Sequence, residues 1–378
     1  MTRASLSRRS RGTRHSPVRV VLALAVISLA IGAAVAPMDA DLVERYFSRG
    51  WYPAIQPLLT STSSLAPFAL LDAWIVVGVL LLCRAAWRVW REPGARWRAL
   101  GRAAWRGSVT AAVLYLVFLA CWGLNYRRVS LADGFDFDRA RVNAAAVDQL
   151  AVRAVERLNA LHEPAHVALA ARPTRAAIRM PLVPAFSEAQ RALGATRLAT
   201  PGRPKVSMLS PFFRWASVDG MVNPFGLEVI VNPEVLAVEL PFVIAHEWGH
   251  LAGWAHESEA SYLAWVMCLG GDRAAQYSGW LSIYWHLRRA LPRERLSTLE
   301  GDLGAGPRQD LRAIAARLAR GQPAVQRASW QTYDQFLKAN RVDAGIASYD
   351  EVITLVLGIA ADQDGRPKPA DRQNVPVR

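Results

Sequence analysis

Three long apolar runs constrain this chain more than any other feature. "VVLALAVISLAIGAAVA" (20–36), "LAPFALLDAWIVVGVLLLC" (65–83) and "SVTAAVLYLVFLACWGL" (108–124) contain a single charged residue between them, Asp72. A helix crosses a bilayer with roughly 20 apolar residues, so each run is adequate or slightly short for a span. The apolar share of the 378-residue chain is 52%, above the ordinary soluble range, which agrees with a membrane region. The first run also resembles a cleaved signal peptide, since "AVA" at 34–36 has the small-x-small form of a cleavage site. Its continuous length favours an uncleaved anchor. Asp72 stands near one end of its run, where an interfacial position or a pair within the bundle is expected.

The charge distribution sets the orientation. Residues 1–106 carry fifteen arginines, no lysine and five acids, so they account for +10 of the chain's +14. The remaining +4 on residues 107–378 is too little for a basic nucleic-acid face, and no nucleic-acid partner is expected. The arginines flank the apolar runs instead, at the N-terminus and in "RAAWRVWREPGARWRALGRAAWR" (84–106). By the positive-inside bias both stretches are cytoplasmic, so 39–64 and everything after 125 lie outside. Trp87, Trp90, Trp97, Trp105 and Trp122 suit the aromatic belt at the membrane surface. Three cysteines without close spacing give neither a disulfide framework nor a cysteine metal site.

The organisation expected is a basic cytoplasmic tail (1–19), a three-helix membrane region (20–125) and one extracytoplasmic domain (126–378). In the last, "NAAAVDQLAVRAVERLNALHE" (143–163) has helical periodicity, as do 257–269, 274–290, 308–320, 329–340 and 349–361. "RPTRAAIRMPLVP" (172–184) and "ATPGRPK" (199–205) read as loops. "KVSMLS" (205–210) and "LEVIVN" (227–232) have strand character, the second a candidate edge for pairing with an extended peptide. Pro241 can start a helix that runs to Gly253.

That helix carries the chemistry. "AHEWGHLAGWAHESEAS" (245–261) contains H-E-x-x-H. Residues four apart share a helix face, so His246 and His250 can offer two imidazoles to one cation. Glu247 is placed to take a proton from water activated by that cation, the arrangement of zinc hydrolases. The alternative is a helix with two satisfied histidines; the apolar "PFVIA" before His246 argues against it, because unpartnered imidazoles are costly in a buried helix. The third ligand has three candidates. His256 completes the metzincin spacing, but no methionine turn follows, since Met267 sits within a helical run. Glu257 shares a face with the small residues Ala260, Ser261 and Ala264, which allow a second helix to approach the first. Glu259, backed by Leu263 and Val266, is the remaining possibility. Glu257 is favoured. Tyr277, Tyr284 and His286 are candidates for oxyanion stabilisation.

"WGLNYRR" (122–128), "NPFGLEVIVN", "PFVIAHEWGH", "ESEAS", "YSGWLSIYW" (277–285) and "YDQFLKANRVDAGIASYDEVITLVL" (333–357) follow one another in that order. Together they resemble the bacterial membrane family catalogued as domain of unknown function 3810, from the first membrane segment to about residue 360. The resemblance implies three membrane segments and an extracytoplasmic H-E-x-x-H domain like that of membrane-anchored zinc metallopeptidases. Ser261 stands where that family often has Asn, and His256 where it mostly has no histidine, which makes the metzincin spacing look accidental.

The fold expected is therefore mainly α with a small β element: three transmembrane helices followed by a zincin-like extracytoplasmic domain. The function expected is a zinc-dependent peptidase of the bacterial cytoplasmic membrane, with Zn²⁺ on His246, His250 and Glu257, Glu247 as general base, and a peptide or protein substrate. A non-catalytic envelope scaffold with a structural zinc is the alternative. The orientation is tested by alkaline phosphatase fused after residue 130, which is expected to be active; an inactive fusion, with a cytoplasmic reporter active in its place, contradicts it.

Overall fold

A computed structural model describes residues 17–91, 96–342, 351–361 and 367–368. The described chain is mainly helical, with one two-stranded sheet. Helices α1 (Pro17–Val35) and α2 (Ala40–Leu42) lead into a π-helical stretch (Val43–Trp51), then α3 (Tyr52–Leu65), α4 (Leu70–Trp90) and α5 (Arg96–Cys121). There follow a 3₁₀ turn (Gly123–Arg127), α6 (Leu131–Gly134), α7 (Ala144–Ala170), α8 (Arg175–Arg179), α9 (Leu182–Ala192) and α10 (Ser210–Ala216). Strands β1 (Gly220–Asn223) and β2 (Glu228–Val231) precede α11 (Leu240–Leu251), α12 (Glu257–Leu269), α13 (Arg273–Ala290), α14 (Arg293–Asp302), α15 (Ala305–Leu318), α16 (Pro323–Ala339) and α17 (Val352–Gly358).

Three helices, α1, α4 and α5, are long and apolar enough to cross a membrane, which marks a membrane protein. Val21, Leu22 and Leu29 on α1 and Leu80, Leu81 and Leu82 on α4 are exposed, an arrangement costly in water and suited to hydrocarbon. The second span starts later than the apolar run at 65–83, at Leu70, with Asp72 in its first turn where a helix N-terminus favours an acid. The third starts at Arg96, well before 108.

The chain divides into two compact units, one drawn from residues 1–37 and 80–119, the other from 38–79 and 120–378. The second unit thus extends beyond residues 126–378. Residues 40–65 are helical, and α3 buries Tyr52, Gln56, Thr60 and Ser63 within this unit. The Tyr52 hydroxyl donates to the Leu251 carbonyl at 2.8 Å, and Thr60 Oγ1 donates to the Leu227 carbonyl at 2.9 Å. Buried polar groups need such partners, and here they hold α3 against the end of α11 and the start of β2.

The sheet is antiparallel, with Gly220 opposite Val231 and Asn223 opposite Glu228. Its buried Glu228 carboxylate accepts from the Leu70 and Leu71 amides, from Asn223 Nδ2 and from Lys205 Nζ, all within 2.8–3.0 Å. A buried charge is tolerable only when so fully paired. Asp72 fastens the same region by accepting from Ser207 Oγ (2.5 Å) and the Met208 amide (3.0 Å).

Three sequence expectations fail here. Residues 172–184 are not a loop: Thr174 caps α8 by accepting the Ala177 amide, and Pro184 sits in the first turn of α9, where no intrahelical N–H is needed. Residues 205–210 are not a strand. Only Lys205 pairs, in a parallel bridge to Ile230, because Ser207 and Met208 turn to Asp72 and α10 begins at Ser210. With Lys205 on one side and β1 on the other, β2 is not a free edge.

Candidate metal centre

Pro241 lies in the first turn of α11, where its missing N–H costs nothing, and "PFVIA" is buried throughout. The helix ends at Leu251, two residues short of Gly253. On it His246 and His250 stand one turn apart, their ring centroids 4.8 Å apart.

The third group arrives on α12, and glycine permits the approach. A Cβ on Gly249 would lie 2.9 Å from the Ala260 carbonyl oxygen and 3.0 Å from its Cα. Real side-chain carbons do not tolerate such distances from backbone, so any larger residue at 249 forces the helices apart. Ala260 is the contact itself, and Ser261, next along α12, places its Oγ 3.1 Å from His246 Nδ1. The small residues expected on the Glu257 face, Ala260, Ser261 and Ala264, are all buried, and the first two face α11.

Glu257 Oε2 lies 3.0 Å from His246 Nε2 and 3.5 Å from His250 Nε2. Two ligands about 2.0–2.1 Å from a tetrahedral zinc stand about 3.3 Å apart, so these donors fit such an ion. The other ring nitrogens are occupied as ligating histidines require: His250 Nδ1 lies 2.8 Å from the Trp254 carbonyl, which fixes the Nδ1–H tautomer and aims Nε2 at Glu257. The Tyr333 hydroxyl donates to Glu257 Oε1, leaving Oε2 for the histidines. Burial works against a charged Glu257, but the two imidazoles outweigh it and hold the carboxyl well below its usual range. Burial likewise opposes protonation of His250, and the Glu257 charge and hydrogen bond overcome it, pushing this imidazole up to about 9.

Glu247 is buried beside this group. Burial, partly offset by the two histidines, raises its carboxyl to about 7, and its Oε2 has no hydrogen-bond partner among the described residues. It lies against β1: a Cβ on Gly220 would come 2.5 Å from Glu247 Oε1, so glycine there leaves room for the carboxylate.

Glu259, His256 and Tyr277 are committed elsewhere. Glu259 Oε1 accepts the Leu131 amide at 2.6 Å, at the start of α6. His256 precedes α12 and directs Nε2 to the Tyr126 carbonyl, 3.3 Å away. The Tyr277 hydroxyl is committed to Asp310 at 2.6 Å. Tyr284 and His286 share α13 with Tyr277, and the Tyr284 hydroxyl is buried with no partner among the described residues. The tyrosine that does reach the site, Tyr333, is 76 residues beyond Glu257 on α16, and no local spacing announces it.

Zinc content of the purified protein tests the ligand set. Glu257→Ala and His246→Ala are expected to lose the zinc held by this group, and His256→Ala to keep it; loss in His256→Ala with retention in Glu257→Ala contradicts the geometry.

Comparison with known proteins adds a family. No curated protein and no solved structure matches the chain. The family model described as "Protein of unknown function (DUF3810)" matches residues 47–357, starting after the first membrane helix rather than at it. That stretch contains the 3₁₀ turn at 123–127, the H-E-x-x-H helix, Glu257 and Tyr333, so the chain belongs to the DUF3810 family.

Proposed function

We propose that this protein is a membrane-anchored, zinc-dependent metallopeptidase with a zincin-like domain, acting on peptides or proteins outside the cytoplasm. One observation carries the reading: a buried carboxyl, Glu247, with an unpartnered oxygen, lies beside three convergent zinc-type ligands. A structural site gains nothing from such an acid, whereas hydrolysis needs one.

Zinc on His246, His250 and Glu257 would supply a Lewis acid that acidifies water and polarises the scissile carbonyl. Glu247 accepts the proton of the attacking water and returns it to the departing amide nitrogen as the C–N bond breaks. A carboxyl poised near the operating pH suits both transfers, since it accepts and releases a proton at similar cost. Ser261 and the Trp254 carbonyl hold the two imidazoles in place, and Tyr333 holds the Glu257 carboxylate.

The substrate chain has a natural docking element. Strand β1 pairs only with β2 among the described residues, and its Gly220 borders Glu247. An extended peptide added along the open edge of β1 would bring its backbone carbonyls toward the base, and main-chain pairing fits a peptide rather than a sugar or nucleotide. The edge used is thus β1 in place of the strand at 227–232.

Glu247→Gln keeps the ligand set and removes the base. Cleavage of a quenched peptide library is expected to fall by about 10²- to 10⁴-fold while zinc content stays at the wild-type level. Unchanged cleavage would remove the peptidase mechanism and favour a structural zinc in an envelope scaffold.

A further inference from the structure

The chain contains a second H-E-x-x-H, "HEPAH" at 162–166, on α7. His162 and His166 stand one turn apart with ring centroids 4.3 Å apart, closer than the pair on α11. Asp310, on α15, faces both: its Oδ2 lies 2.9 Å from His166 Nε2 and 3.6 Å from His162 Nε2. These distances bracket the tetrahedral ligand separation, slightly more widely than those around Glu257, and the candidate ligand atoms of the three residues lie within 4.8 Å of one another.

A hydrogen-bonded His–Asp pair needs only one imidazole. Here two imidazoles and the Tyr277 hydroxyl (2.6 Å) converge on one carboxylate oxygen. Tyr277 is buried and cannot turn to solvent, so it fixes the carboxylate as an outer hydrogen bond fixes a metal ligand. The backbone is shaped around the rings as well. A Cβ on Gly306 would collide with the His162 imidazole, and Asn159 latches the start of α15 by accepting the Gly304 amide at 2.6 Å and donating to the Asp302 carbonyl at 3.0 Å.

We propose that His162, His166 and Asp310 form a second divalent-cation site that clamps α15 to α7. Two imidazole nitrogens and one carboxylate oxygen suit a zinc-type ion over calcium or magnesium, which prefer oxygen. The His166 side chain is 43% exposed, so water can complete the coordination and the ion can exchange with solvent. Glu163 is exposed and offers no base inside the site, so this ion holds helices together and activates nothing. The inference stands on residues separate from the His246 group and does not depend on the function proposed for it.

The test is zinc content of the full chain in detergent, stripped with chelator, reloaded with zinc alone and freed of excess. Wild type is expected to hold two zinc ions per chain, His246→Ala one, and His246→Ala/His166→Ala none. Zinc is expected to raise the Tm of His246→Ala and leave that of the double variant unchanged. Asp310→Asn keeps the side-chain volume and an oxygen for Tyr277, so in the His246→Ala background it is expected to fold and still lose the ion. If the His246 group itself holds no zinc, wild type and His246→Ala each bind one ion that His166→Ala removes, which supports the second site and contradicts the first. A His246→Ala protein that binds no zinc, or a double variant that binds as much as His246→Ala, overturns the proposal.

Discussion

The structure around the histidines depends on the contact of Gly249 with Ala260. Backbone meets backbone there without side chains between, and this close approach sets the rotation and depth of α12 relative to α11. With Ala260 so fixed, Ser261 reaches His246 and Glu257, almost one turn earlier, reaches both imidazoles. Packed interiors resist sub-ångström adjustment, so geometry set at one contact is carried to the ligand atoms. The glycine inside H-E-W-G-H is therefore as much a part of the site as the histidines and Glu257.

The stretch that follows the third membrane helix braces the same place. Trp122 donates its indole N–H to the His250 carbonyl at 3.2 Å and packs edge-on to the His250 ring. Tyr126 contacts His256 and Phe336. Arg128 pairs with Glu44, donates to the Gly253 carbonyl at 3.0 Å and stacks 3.7 Å over Trp254, whose carbonyl faces His250. The run "WGLNYRR" thus acts as a collar on the turn between α11 and α12, although it lies far from the histidines in sequence. Glu44 and Tyr52 come from the segment between the first two membrane helices, so two separate stretches of chain converge on this turn.

Much of this was legible in the sequence, and the parts that were not share a cause. The three apolar runs and the i, i+4 histidines are local patterns, and each recurs in a helix, although the second run enters its helix only at Leu70 and the third leaves its helix at Cys121. The group that joins the two histidines is not local. His256, Glu257 and Glu259 lie within four residues, and only the packing of Ala260 on Gly249 decides which of them turns toward the histidines. Strand β1 escaped notice because four residues beginning with glycine carry almost no alternation. Tyr333 and Asp310 are brought in by tertiary contacts across 76 and 144 residues. "HEPAH" has the same spacing, but Pro164 is a helix-ending signal in sequence, whereas the helix continues through that proline to Ala170.

The most direct measurement is zinc affinity and thermal stability of Gly249→Ala in the purified protein. One methyl group at 249 touches no ligand and adds no charge; it acts only by parting α11 from α12. Overpacking of this kind costs about 1–3 kcal/mol, so the account predicts a folded variant with a lower Tm. It also predicts zinc binding at the His246 group weakened at least tenfold, about 1.4 kcal/mol, as Glu257 is drawn back from the imidazoles. A Gly249→Ala protein with wild-type stability and wild-type zinc affinity would contradict the claim that this contact assembles the site.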